Sequence, residues 1–162
     1  MLPRSTIQLL LIAALIGWSG VAPIHAQDPS QLGFSDLQAQ ANKLVETGQL
    51  EQAMPFLEEL IKRVEATENS EIKIDFPIFL LGTAHIQRFV ATQSAGELNQ
   101  TLVWYAKLEK DYPNSAKMED AMLKKVDVLR ILKREDDAIA LMTQLLDGTY
   151  SFRLNLKQES KL

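Results

Sequence analysis

The chain has 162 residues, of which 46% are hydrophobic and 23% charged, with a formal net charge of -4 and a pI near 5.2. That is enough apolar material for one domain with a real core, and the mild acidity argues against nucleic-acid binding, which needs clustered excess cations to release counterions. The absence of cysteine excludes disulfides, thiolate metal sites, cysteine nucleophiles and the acylated cysteine of a bacterial lipoprotein.

Residues 1–26 have the three-part grammar of a secretory signal peptide. Arg4 supplies the positive start, Ile7 to Ile16 an uncharged apolar run, and Ser19 to Ala26 a looser polar end. Cleavage after Ala26 leaves Gln27 at the mature start, although Ile24 is bulkier than such a site prefers, and a cut after Ala22 would put Pro23 just beyond the bond. A retained membrane anchor is the competing reading, but the run falls short of the roughly 20 residues that span a bilayer. The expectation is an exported protein, periplasmic or secreted, with no stable membrane span once the signal is removed.

Residues 27–33 form a polar leader containing Pro29 and Gly33. A helical pattern begins at Phe34, where Ser35 followed by Gln38 fits a capping box, and Leu37, Ala41 and Leu44 make an apolar stripe. The corner Glu46-Thr47-Gly48 leads to a second helix with Leu50, Ala53, Leu57, Leu60, Ile61 and Val64 on its buried side. Pro55 conflicts with that helix because it forfeits a hydrogen bond and clashes with the preceding turn. Either the helix is kinked near Met54 or its regular part starts later.

Residues 66–74 read as a polar connector. Asp75 and Pro77 mark a fresh helix start, and the helix continues through Ile78, Leu81, Gly82, His85 and Phe89 to about Ala91. A turn over residues 92–96 precedes a helix striped by Leu98, Thr101, Tyr105 and Leu108. Pro113 breaks it, and Asn114 or Ser115 is placed to cap the next helix. That helix buries Met122, Val126, Leu129 and Leu132. After the charged corner from Lys133 to Asp136 comes a last stripe of Ala138, Leu141, Met142, Leu145 and Leu146, which Gly148 stops. Helices joined by such short corners must lie antiparallel. The expected fold is therefore all-α, with hairpins over about residues 34–67, 75–112 and 115–147 of a domain spanning 34–147.

The recurring positions resemble the tetratricopeptide repeat (TPR) family over roughly residues 34–146. The small residue of each first helix is Ala41 and then Gly82, with Val126 larger in the third unit. The corner glycine is Gly48 and then Gly96, with Lys133 in its place in the third. The small residue opening each second helix is Ala53, Thr101 and Ala138, spaced unevenly for a strict repeat of about 34 residues. The aromatic that follows is kept as Tyr105, and Leu57 and Met142 replace it elsewhere. The closing proline is Pro113. The run Tyr112-Pro113-Asn114-Ser115 resembles bacterial cell-envelope members, including assembly-machine subunits and Tol-Pal-associated proteins.

The resemblance implies a stacked α-solenoid whose first helices line a groove for a protein or peptide partner. By that analogy the groove residues are Gln38, Asn42 and Val45, then Phe79, Thr83 and Ile86, then Leu123, Asp127 and Arg130. Packing against a neighbouring hairpin is the competing role for Phe79 and Ile86. Only Asn42 and Arg130 suit a carboxylate clamp, so that mode of binding is not expected.

No catalytic, cofactor-binding or metal constellation is legible. His85, the one histidine after residue 26, lies on an apolar helix side and reads as packing, and a lone imidazole makes no zinc site. There is no G-x-S-x-G and no phosphate-cradling glycine loop. The pairs Glu58-Glu59 and Asp136-Asp137 point in different directions on their helices, and Trp104 with Tyr105 reads as hairpin packing.

In the tail, residues 148–162, Tyr150, Phe152, Leu154 and Leu156 alternate with polar residues in a strand-like pattern. Three accounts fit: strand addition to a partner, packing over the exposed face of Ala138 to Leu146, or a chain that continues into a longer architecture. The functional expectation is a non-enzymatic exported scaffold or adaptor in the bacterial envelope. The alternatives are a structural or oligomerising module, and the front of a longer envelope protein whose effector domain lies elsewhere.

Overall fold

The computed structural model describes residues 28–67 and 71–147. The signal region, Gly148 and the strand-like tail lie outside the described residues. Among those described are six α-helices and no strand: α1 (Phe34–Glu46), α2 (Leu50–Glu65), α3 (Asp75–Thr92), α4 (Ala95–Asp111), α5 (Met118–Ile131) and α6 (Glu135–Leu146). Each packs chiefly on its neighbours in the chain, and the α3–α4 pairing is the most extensive. The all-α expectation holds.

Stripe residues of all six helices enter the buried set, including Leu37, Ala41 and Leu44 on α1, Ala53, Leu57 and Leu60 on α2, and Ile78 and Leu81 on α3. Leu98, Tyr105 and Leu108 on α4, Met122, Val126 and Leu129 on α5, and Ala138, Leu141 and Leu145 on α6 complete the pattern. Leu132 is only half-buried. Met142 and Leu146, expected in the last buried stripe, are 37% and 63% exposed. They flank the face of α6 that Ala138, Leu141 and Leu145 bury, and no described helix covers them fully.

The corners show how unlike residues do the same backbone work. At the end of α1, Gly48 takes φ 73°; its N–H bonds the Val45 carbonyl at 3.0 Å, and Gln49 N–H bonds Leu44 at 2.8 Å. At the end of α5, Lys133 takes φ 60° and the same pair of bonds forms, to Arg130 at 3.0 Å and to Leu129 at 2.9 Å. Both are Schellman closures, which satisfy carbonyls that a helix terminus leaves unpaired. Between α3 and α4 the left-handed residue is Gln93 (φ 56°), whose N–H bonds the Phe89 carbonyl at 2.7 Å while its side-chain amide donates to Val90 O at 3.0 Å. The expected corner glycine, Gly96, sits instead inside the first turn of α4. The chain turns one residue past the end of α3, wherever that helix stops, and a side-chain bond here accompanies the conformation that glycine would adopt without strain.

Three further expectations change. The capping box at Ser35 does not form: the helix starts at Phe34 behind Gly33, which makes no side-chain cap. Phe34 packs against the core, which places the helix start ahead of the Ser35 hydroxyl. Ser115 does not cap α5 directly, since that helix begins at Met118. It organises the preceding turn, accepting from Lys117 N–H at 3.1 Å and donating to Asp75 Oδ2 at 2.6 Å, which ties the α4–α5 connection to the start of α3. Pro55 lies inside α2, which begins at Leu50 and not later.

The leader is anchored as well. Arg63 of α2 donates to the carbonyls of Leu32 (2.6 Å), Ser30 (2.9 Å) and Pro29 (3.1 Å), and Glu59 holds its Nε at 2.8 Å. Residues 29–31 form a 3₁₀ turn capped by Asp28, whose carboxylate accepts from Ser30 N–H at 2.9 Å.

The tightest fit joins α3 to α4. Gly82 and Tyr105 are both buried, and a Cβ on Gly82 would lie 2.7 Å from Tyr105 Cδ1 and closer still to Cε1. Thr101, fully buried, donates its hydroxyl to the Gly82 carbonyl at 3.1 Å. Small residue, small hydroxyl and aromatic, three separate positions in the sequence, form one contact. Gly82→Ala should therefore lower stability by about 1–3 kcal/mol through overpacking, despite the gain of about 1 kcal/mol in helix propensity. In a Tyr105→Ala background the same change should become neutral or stabilising, as a double-mutant cycle in urea will read; an equal cost in both backgrounds would refute the notch. At the corner, Lys133→Gly should raise stability by about 0.5–1 kcal/mol, relief of left-handed strain exceeding the entropy of the added glycine.

Candidate functional site

The nine residues expected to line a groove are distributed unevenly. On α1, Gln38 and Asn42 are exposed and Val45 is half-buried. On α3, Phe79 is 8% exposed and stacks on Tyr105, with ring centroids 6.0 Å apart and planes 18° apart. Thr83 is half-buried beside it. Its hydroxyl donates to Phe79 O at 3.0 Å, so at 3.1 Å from Tyr105 Oη it serves as acceptor for the phenol proton. Ile86 is half-buried and packs against the core. The α3 trio thus mostly supports the α3–α4 contact.

The α5 trio meets a second helix. Leu123, Asp127 and Arg130 border a cleft of about 490 Å³ with Val126 of the same helix and Glu135, Ala138, Ile139 and Met142 of α6. Val126 and Ala138 are buried, each 4% exposed, and form an apolar floor. Leu123 (39%), Met142 (37%) and Ile139 (65%) form walls that solvent reaches. Asp127, Arg130 and Glu135 are exposed and supply charge of both signs at the rim. Arg130 Nη1 lies 3.9 Å from Asp127 Oδ1, and with both side chains mostly exposed this ion pair contributes little to stability. Such a site can seat apolar side chains on a small floor and orient them with a cation and carboxylates.

Ile139 escaped the sequence reading because it falls off the α6 stripe of three and four. A signal was present: between Ala138 and Leu146 only Thr143 and Gln144 are polar, a wider apolar arc than one packed face requires. A second cleft, of about 360 Å³, opens between α4, α5 and α6, and there Lys125 Nζ pairs with Glu109 at 2.8 Å.

His85 is 7% exposed, as its position on the apolar side of α3 suggested, but it has a polar partner that the sequence did not reveal. Its Nδ1 is 2.7 Å from Glu97 Oε2, and the other oxygen of Glu97 is 3.3 Å from Arg88 Nη2. Arg88 Nε, buried without a hydrogen bond, lies 3.6 Å from the Glu51 carboxylate. The network ties α3 to α4 and reaches α2. Toward the other end of the α2–α4 side, Lys107 bridges Glu65 at 2.5 Å and Asp111 at 2.9 Å, and the Glu65 carboxylate is the main cause that holds its pKa above the ordinary lysine value.

Among the described residues no group of three His, Asp or Glu side chains is placed to hold a metal ion, and no helix is long and apolar enough to cross a membrane. A scan against protein-family models finds no match to the chain, and searches of curated proteins and of solved structures find none either.

Burial pushes the Tyr105 phenol up to about 12 from an ordinary 10.0. A raised folded-state pKa means that the neutral phenol favours the fold. Its contribution is complete below pH 10.0 and is lost as pH climbs toward about 12. In that window the wild type should lose up to about 1.4 kcal/mol per pH unit from this group. Tyr105→Phe should show a flatter decline in urea midpoints measured from pH 9 upward; equal slopes would place the phenol outside the core.

Proposed function

We propose that this chain is a non-enzymatic docking scaffold, a TPR-like stack of helical hairpins exported to a bacterial envelope, and that the α5–α6 cleft is where it receives a protein or peptide partner. The observation that carries this reading is the cleft itself. Leu123, Ile139 and Met142 stand exposed around the buried Val126–Ala138 floor, with Asp127, Arg130 and Glu135 at its edge. Helical hairpins use surfaces of this kind for apolar anchor residues on extended or helical peptides. An apolar core bordered by polar groups is also how protein interfaces are generally built. Export to the envelope rests on the signal-like residues 1–26, and the TPR-like stacking on sequential helix pairing and the recurring small residues.

The cleft also refines which substitutions separate binding from folding. Phe79 is part of the Tyr105 contact, so a charge there would damage the fold before it reported on a partner. Leu123 and Ile139 face outward. The Leu123→Asp, Ile139→Asp variant should keep the wild-type helical circular dichroism and melting behaviour, yet lose partners recovered by affinity capture from an envelope fraction. A Gln38→Asp, Asn42→Asp variant on α1 should recover them undiminished. Recovery of the same partners by the cleft variant would remove the cleft from the binding reaction.

A further inference from the structure

The cleft continues along α6 as an exposed apolar row. Ile139 (65%), Met142 (37%) and Leu146 (63%) follow one another at helical spacing on a single side of the helix, and Leu123 of α5 flanks them. The row ends at Leu146, where α6 hands the chain to residues 148–162, which lie outside the described residues. Two properties of that segment match the row.

The first is spacing. Tyr150, Phe152, Leu154 and Leu156 share one side of an extended chain. In that form they cover about 20 Å, close to the roughly 18 Å of the twelve-residue α6. A segment that reverses after Asp147 and runs back toward Glu135 would pass Leu146, Met142 and Ile139 in turn. The second is charge. The segment carries Arg153, Lys157 and Lys161 against a single acid, Glu159. The far end of the row is acidic, with Glu135, Asp136 and Asp137 in the first turn of α6 and Asp127 across the cleft.

Resting on the docking reading above, we propose that residues 148–162 of the same chain are the resident occupant of the α5–α6 cleft, lying antiparallel along α6 with Phe152 and Leu154 on the apolar row. A partner must displace this segment, so the affinity of the cleft is set against an internal competitor held at high effective concentration by its short connection.

The absence of cysteine makes a single introduced thiol a clean probe. Ser160→Cys in the full chain takes a nitroxide, and methyl resonances report proximity. We expect Ile139, Met142 and Leu123 methyl signals to lose most of their intensity relative to the reduced sample, while Leu37 and Leu44 of α1 keep theirs. Adding Phe152→Asp and Leu154→Asp, which leave the helices untouched, should restore the lost signals. Persistent broadening in that variant would mean tethering without docking, and no broadening at all would mean an empty cleft; either overturns the proposal. Broadening seen only between a spin-labelled chain and a separate isotope-labelled chain would make a second copy the occupant and overturn it equally. A failure of the docking reading is read separately, by partner capture with the Leu123→Asp, Ile139→Asp variant.

Discussion

The fit of the Tyr105 ring against the bare backbone of Gly82 is the constraint that the middle of the molecule depends on. With no Cβ at residue 82, α3 and α4 approach closely enough for Thr101 to bond the Gly82 carbonyl and for Tyr105 Oη to reach Thr83. Phe79 also stacks on the Tyr105 ring. Around this contact α3 and α4 form the largest helix pairing of the fold, and the His85–Glu97–Arg88 network closes its corner end. Packing at this density leaves little freedom to adjust. Phe79, which the hairpin pattern assigns to a groove, is consequently buried, and Thr83 and Ile86 are half-buried.

The corners obey a separate constraint, set by the backbone. At the corner inside each hairpin one residue in the left-handed region satisfies the last carbonyls of the first helix. Gly48 supplies it without strain, and a Cβ there would meet nothing within 4 Å, so the preference for glycine at that position is conformational, not steric. Gln93 and Lys133 supply it with a side chain attached. The positions recur even where the residue does not, and a search for glycine alone finds Gly96 in the wrong place.

The six helices and most of their buried positions were legible in the sequence because burial imposes the helical period on residue type, and every stripe had several members to fix its phase. Single-residue signals were less reliable. Ser35 and Ser115 have the right chemistry for caps, but where a helix starts is settled by packing of neighbours such as Phe34 and by the Ser115–Asp75 bond. Glu97 gave no hint of its bond to His85, since a carboxylate in the first turn of a helix is unremarkable in one dimension. Of the expected groove residues, the α5 trio borders a cleft with α6. Phe79 and Thr83 of the α3 trio meet Tyr105, a residue on another helix, which their own stripe could not reveal.

The two ends of the described fold differ in how completely they are covered, and the site proposed at α5–α6 lies at the less covered end. At the first hairpin, Arg63 binds three carbonyls of residues 29–32, and Leu32 and Phe34 pack against the core. At the last hairpin, α6 leaves Ile139, Met142 and Leu146 facing outward. Scattered exposed apolar residues are ordinary on protein surfaces. Aligned on one helix side, continuous with a cleft and bordered by charge of both signs, they form a surface suited to association. An apolar row of this length in water is unfavourable unless something lies on it for part of the time. An occupant of the proposed site would have to contribute apolar side chains at matching intervals, and that requirement narrows the field to segments that can present such a row.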